Sequence, residues 1–325
     1  MNRINIKNFG KHYKSFNREW GTQFSLLLAF IVIGAVFAVL SPYFLIGKNL
    51  TNIGHNMAIM GIMAAGLTVP MILGCMDVSQ YSINALVGVT CVLFANMGLP
   101  IGLVLLYAVV AGTLLGMLNG VAVAILRINP IIATLSTGMV MRGFTYMLTE
   151  GKTLQVNNPA FKVLGRGTIL GVPNTLLIMA GVFLILYIVL KHTPLGRKLF
   201  AVGGNPQAAF LSGINVRITR FGGLMISGAA AGLAGFLLLS QLGAFQPNAG
   251  EATLMNVIAA VILGGLSLSG GKAKLTGTLL GVLILTVIQN GMNLLGVQSY
   301  YQTIVRGMII LVAVYLDVIR GGGYK

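Results

Sequence analysis

Charge is what this chain has least of. Of its 325 residues only 8% are charged, five are acidic and three are histidine. A soluble domain carries roughly 25% charged residues, so this chain cannot cover itself with a polar surface. The same scarcity limits acid–base chemistry. Glu19, Asp77, Glu150, Glu251 and Asp317 fall in loops or at the ends of apolar runs, as do His12, His55 and His192. A proton-driven carrier places such groups inside the membrane, where protonation biases a conformation, and that class is disfavoured here. A membrane enzyme would need His, Cys or acids gathered at one depth, and the sequence offers no such cluster. Cysteine is nearly absent: Cys75 and Cys91, in or near apolar segments and without metal-binding spacing, read as small core residues. A phosphate loop is missing too. The nearest stretch, GGLSLSGGKAK at 264–274, lacks the Gly-x4-Gly-Lys-Ser/Thr spacing and has Ala273 where a magnesium-binding hydroxyl would stand. Its LSGGK letters echo an ATPase signature, but without the surrounding domain the stretch reads as a tight glycine turn.

What is abundant is apolar sequence, 56% of the chain. Runs of about 20 residues, long enough to cross a bilayer as helices, recur along its length. Spans are expected near 23–41, 56–74, 83–98, 101–126, 130–148, 173–190, 221–241, 254–267, 275–294 and 301–318. The fold class is therefore all-α, a polytopic integral membrane protein of about ten transmembrane helices forming one transmembrane domain over 1–325. The third and eighth spans are short, so re-entrant or broken helices are expected there. The first apolar run is too long for a cleavable signal.

The net charge of +16 does not indicate nucleic acid, because the basic residues sit in loops. With the N-terminus in the cytoplasm, inside loops hold Arg3, Lys7, Lys11, Lys14, Arg18, Arg127, Lys191, Arg197, Lys198, Arg217, Arg220, Lys272, Lys274, Arg320 and Lys325. Outside loops hold only Lys48, Lys152, Lys162 and Arg166. That bias places both termini in the cytoplasm. Phe9, Tyr13, Phe16 and Trp20, at helical spacing among basic residues, predict a cytoplasmic interfacial helix within 1–21 in contact with membrane lipid. A disordered basic tail is the alternative.

Small residues at four-residue spacing let helix backbones approach closely in lipid. They occur at Gly112, Gly116 and Gly120, at Gly228 and Gly232, and at Gly277 and Gly281. The string GTLLG appears at 112–116 and again at 277–281, in spans five apart and of opposite direction, as a 5+5 inverted repeat would give.

Transport is the default function for many spans with little mass outside them, and the chain holds no motor. Active transport then needs a partner and a docking site. The longest inside connection, 191–220, contains AVGGNPQAAFLSGINV. Gly203-Gly204-Asn205-Pro206 is turn chemistry, Pro206 opens a short helix, and Ala208 and Ala209 leave little bulk against a partner's cleft. Gly213 ends that helix. A sodium site built from backbone carbonyls would leave little trace, so an ion-coupled secondary carrier is the alternative. A plain solvated loop is the other reading of 191–220.

The stretch TPLGRKLFAVGGNPQAAFLSGINV resembles the cytoplasmic loop of the permease subunits of ribose-type ABC sugar importers. YFLIGKNLTNI, RINPIIATLSTGMVMRG, NVIAAVILGGLSLSGGKAKLTGTLLGV and NGMNLLGVQSYYQTIVRG extend the likeness over nearly the whole chain, in the family's order. The resemblance implies an inner-membrane permease for a monosaccharide or related polyol. Gly196, Arg197, Gly203, Gly204, Asn205, Ala208, Ala209 and Gly213 would then belong to the segment that docks on the ATPase. It further implies an ABC ATPase with two fused nucleotide-binding modules, which would bind the ATP and magnesium this chain does not. A periplasmic sugar-binding protein and a second permease subunit, identical or paralogous, complete the assembly. The outside segments 149–172 and 243–253 are the docking surfaces expected for the binding protein.

One departure stands out. Where the family usually reads Gly-Ile-Asp-Leu-Ser-Val-Gly-Ser, this chain has CMDVSQYS, 75–82, with Gln80 for the valine and Tyr81 for the glycine. Asp77 is expected to cap the third span's helix. Inside the spans the polar side chains are mostly neutral. Thr137, Gln289, Asn290 and Asn293, with Tyr300 and Tyr301 at the outer end, are the candidate lining of a path that binds its cargo weakly. Helix-to-helix bonding is the competing role for the first four, and interfacial anchoring for the two tyrosines. Arg142 and Arg306 are the in-span charges and should face protein or water, or snorkel outward.

Overall fold

The structure, a computed structural model, describes residues 6–248, 251–267 and 270–321. Apolar runs bounded by Gly, Pro and Asn give a chain that is helical almost throughout: α1 (Ile6–Leu40), α2 (Gly47–Ile72), α3 (Gln80–Asn96), α4 (Ile101–Gly120) and α5 (Pro130–Thr149). A five-residue π-helix, Val121–Ile125, continues α4. A short outer segment follows, with β1 (Leu154–Gln155), α6 (Lys162–Arg166), β2 (Thr168–Ile169) and β3 (Val172–Pro173). The second half holds α7 (Asn174–His192), α8 (Pro194–Gly204), α9 (Pro206–Leu211), α10 (Val216–Leu242), β4 (Ala244–Phe245), α11 (Glu251–Leu263), α12 (Leu275–Leu294) and α13 (Ser299–Gly321).

Each of the ten expected spans maps onto one helix. Seven of the described helices are long and apolar enough to cross a membrane. The two short spans are short in the structure as well, with 17 residues in α3 and 13 in α11. At 1.5 Å per residue they reach only ~20–26 Å, less than the ~30 Å hydrocarbon core. The expected interfacial helix is helical in continuity with α1 from Ile6. The side chains of Phe9, Tyr13, Phe16 and Trp20 lie outside the described residues.

The turns sort onto two faces. Gly203 of α8 touches both the end of α2 and the α11–α12 turn, so 191–215 and 264–274 share one face. With Arg197, Lys198, Arg217, Arg220, Lys272 and Lys274 it is the basic face. On the opposite face Asn96 Nδ2 donates to Gln155 O at 2.8 Å, and Ser240 Oγ accepts from Gly165 N at 2.7 Å. There β1 pairs with β4, and β2 with β3. The β2–β3 turn is Leu170-Gly171, both at positive φ (52° and 80°), the geometry of a tight hairpin turn. This is the hairpin face.

Helix α2 is the hub, buried over most of its length against α7, α10, α11 and α12. Its buried polar residues are paired across helices: Asn49 with Asn290, His55 with Thr175, Thr68 with Thr278. The most extensive helix contact among the described residues joins α4 to α10. A Cβ at Gly112 would stand 2.3 Å from Gly228 O, and one at Gly232 2.2 Å from Ala108 O. Any side chain there would separate the helices.

The two halves are related by their pairings. Helix α3 packs on α4, α5 and α10, while α11 packs on α12, α13 and α2; α4 lies on α10 as α12 lies on α2. Exchanging the first five spans for the last five turns one set of neighbours into the other. The peripheral spans depart from this, since α1 rests on α12 but α7 rests on α2. The GTLLG strings do not mark equivalent places either. Gly112 and Gly116 meet α10, whereas Gly277 and Gly281 meet Gly264 and Ala260 beside α12. The letters repeat because both sites need bare backbone, not because the sites correspond.

Candidate functional site

On the basic face, three Asx or Thr caps shape the 191–220 connection into two short helices. Thr193 Oγ1 accepts from Gly196 N, Asn205 Oδ1 from Gln207 and Ala208 N at 3.0 Å, and Asn215 Oδ1 from Ile218 N at 3.1 Å. The expected turn at Gly203-Gly204 is instead the last turn of α8; the chain breaks at Asn205, in extended conformation (φ −155°). Gly203 stays helical because it must sit against other backbone, not because it must bend. Gly213, at φ 81°, ends α9 as expected. Gly196 packs on the end of α7, where a Cβ would be 2.1 Å from Leu190 O. Arg197 is exposed, as are Gly204, Asn205 and Ala208, but Ala209 turns into the chain and is buried. The outward surface of α9 therefore includes two residues that sequence reasoning passed over, Phe210 (69% exposed) and Leu211 (85%).

Beneath this surface lies a largely buried polar cluster, with Asp77, Ser79, Asn119, Thr134 and Ser227 all buried. The α2–α3 connection places Asp77 so that Oδ1 accepts from Ser79 N at 3.0 Å and from Ser79 Oγ at 2.6 Å; Oδ2 accepts from Ser227 Oγ of α10 at 2.7 Å. Asn119 at the end of α4 donates to Ser79 Oγ at 2.6 Å and accepts from Thr137 Oγ1 of α5. Thr134 Oγ1 accepts from Val78 N at 3.1 Å. Asp77 thus caps the start of α3, as expected, and ties four helices together. Gly138, one turn above Thr134, faces Ser79 and Ser82. The start of α3 is therefore held about two α5 turns into the bundle.

The departure at 80–81 has a local account. Tyr81 lies in the first turn of α3 with ordinary helical backbone, and its ring is 5.9 Å from the Arg142 guanidinium, which also stands 5.7 Å from the Tyr146 ring. Such ring contacts help hold a cation inside the membrane. Gln80 is buried and donates to Met63 O and Ser227 O, at 3.2 and 3.4 Å.

A second, more open cluster lies toward the hairpin face. Arg306 Nη2 donates to Gln302 Oε1 at 3.4 Å, Gln302 Nε2 to Asn293 Oδ1 at 2.8 Å, and Asn256 Nδ2 to Gln289 Oε1 at 3.4 Å. The candidate lining residues are thereby divided. Gln289 and Asn293 share this side of α12 with α11 and α13. Asn290 points elsewhere, locked in a reciprocal amide pair with Asn49. Thr137 belongs to the buried cluster. Tyr300 and Tyr301 are exposed and lean on each other, ring centroids 4.5 Å apart. Asn119, Ser227 and Asn256 were not singled out from sequence. Each is one polar letter in an apolar run, and its partners lie 18 to 40 residues away or, for Ser227, 150.

On the hairpin face, Arg166 donates to Gln241 O and Leu242 O at 2.6 and 3.1 Å, clasping the outer segment to the end of α10. Leu170 at the hairpin tip is fully exposed. Of the second expected docking segment, Phe245 is buried over Gly88, where a Cβ would be 2.1 Å from the ring. It is an anchor, and 249–250 lie outside the described residues.

The model of a family described as branched-chain amino acid transport system / permease component matches residues 49–314. The chain is 38% identical over 294 residues to the ribose import permease protein RbsC of Haemophilus influenzae, covering 89% of this chain and 91% of that protein. It is 39% identical over 312 residues to RbsC of Escherichia coli K12, covering 95% and 97%. The L-arabinose transport system permease protein AraH of E. coli K12 is 33% identical over 303 residues, covering 93% and 92%. No solved structure matches the chain.

Proposed function

The chain belongs to the permease family so matched, and from that premise we propose that it imports a ribose-like sugar across a bacterial inner membrane as one of two permease subunits of an ATP-driven importer. It is a transport subunit rather than an enzyme. Its named relatives are sugar import permeases, which leaves the ion-coupled carrier without support. The positive-inside bias puts the basic face in the cytoplasm. The hairpin face then receives the cargo from a periplasmic sugar-binding protein, with Leu170 and the neighbouring Lys162 and Arg166 as the contact surface. Neutral amides at Gln289 and Asn293 can exchange hydrogen bonds with sugar hydroxyls without trapping them.

The observation that carries the reading is α9. A six-residue helix that leaves Phe210 and Leu211 bare at the tip of the basic face has the form of a knob for a cleft on an ATPase. A pair of fused nucleotide-binding modules would receive one such knob from each permease. The test is Ala208→Asp, which places a charge on the outward side of α9 without entering the chain's own packing. Wild type should copurify with an ATPase and support ATP-dependent D-ribose uptake, and the variant should lose both while keeping its melting temperature. Copurification unchanged by the charge would remove α9 from the docking surface.

A further inference from the structure

Gly203 comes so close to the end of α2 that a Cβ there would lie 1.9 Å from Ile72 O and 2.9 Å from Gly271 N. Gly271 N donates to the same Ile72 O at 2.8 Å. Gly270 is equally tight, its Cβ falling 2.8 Å from Gly74 N, and a Cβ at Gly271 would meet Gly204 Cα at 3.0 Å. Gly74, Gly270 and Gly271 all have positive φ (68°, 83° and 76°). Three segments far apart in sequence thus converge on the last carbonyl of α2 with no side chain between them: the end of α8, the α2–α3 bend and the glycine turn at 270–271. Five residues beyond Ile72 stands Asp77, whose bonds reach α3 and α10 directly and, through Ser79 and Asn119, α4 and α5.

We propose that Gly203, Gly270 and Gly271 form a backbone clutch. They act as positioning residues that make α8, the end of α2 and the α11–α12 turn move as one body, so that displacement of α9 by its partner reaches the Asp77 cluster without slack. Side chains at such a junction would hop between rotamers and absorb part of a small displacement, whereas close-packed backbone transmits it. Energetic coupling needs a contiguous element that both ends can bias, and this junction lies between the exposed helix and the cluster. The glycine turn that carries the LSGGK letters thereby gains a role in coupling. The inference rests on the proposed docking of α9.

The test uses the complete importer, with its ATPase and binding protein, in proteoliposomes, reading D-ribose uptake and phosphate release from the same vesicles. Gly203→Ala should lower the sugar moved per ATP at least tenfold while phosphate release stays within twofold. Gly222→Ala on α10, whose Cβ meets nothing within 4 Å, should leave the ratio unchanged. A wild-type ratio in Gly203→Ala overturns the clutch. A second arm needs no variant. In the wild-type importer, hydrogen exchange at 70–75, 199–204 and 270–274 should respond to ATP together, since the Gly271 N–H bond to Ile72 O joins them. A change confined to one or two of these segments, or none at all, also overturns the clutch. If the wild type itself takes up no ribose, the sugar reading fails instead, and the exchange arm still decides the clutch.

Discussion

The two halves of this molecule build the same helix arrangement and fill it differently. In the first, α3, α4 and α5 surround a largely buried cluster built on an acid that is saturated, with both Asp77 oxygens taking donors at 2.6–3.0 Å. In the second, α11, α12 and α13 carry amides and Arg306, joined by Gln302 to Asn293 at 2.8 Å and by long contacts of 3.4 Å at Arg306 and at Asn256. Saturated buried networks rigidify, because each member is costly to strand. Loosely held amides near an open surface can give up a bond to a passing ligand. The difference assigns holding to the cluster on the basic side and yielding to the one on the hairpin side.

That contrast can be broken from either end. Asp77→Ala strands three donors in a dry site at ~1–3 kcal/mol each. A destabilisation of about 3–5 kcal/mol is expected, read as a large fall in the unfolding midpoint of the detergent-solubilised protein. A midpoint near wild type would mean that the cluster holds nothing. Asn119→Ala should cost about 1–2 kcal/mol in the same assay, and should not add to Asp77→Ala, since both act on Ser79. On the open side, Gln302→Ala is expected to leave the midpoint within ~1 kcal/mol and raise the uptake KM about three- to tenfold, the worth of one hydrogen bond. Equal KM with a lowered midpoint would reverse the two roles. Smallest of all, Tyr300→Ala should shift stability by less than ~0.5 kcal/mol, because it is more than half exposed and its ring leans on another exposed ring.

Much of this was legible beforehand. The spans, the shortness of α3 and α11, the cap by Asp77 and the end of α9 at Gly213 follow from apolar run length and local capping chemistry, which neighbouring letters carry. The misread places share a cause. Gly203-Gly204 has the letters of a turn, but its backbone is helical because Ile72 O and Gly271 lie against it. Ala209 and Ala208 are the same letter with opposite exposure. Asn290 reads like Gln289 and serves another helix, since successive residues on a helix point about 100° apart and only the neighbours decide which direction is interior.

Composition over short windows is enough to say that this chain is a polytopic membrane protein, where its apolar runs fall and which loops carry its positive charge. Water and lipid enforce those properties wherever the window falls. Which polar residues lock, which remain open and which glycines are contacts rather than bends was set by packing. Those roles belong to pairs such as Asp77 with Ser227 and Gly203 with Ile72, which lie 150 and 131 residues apart in the chain. A residue's own letter cannot state what will be packed against it.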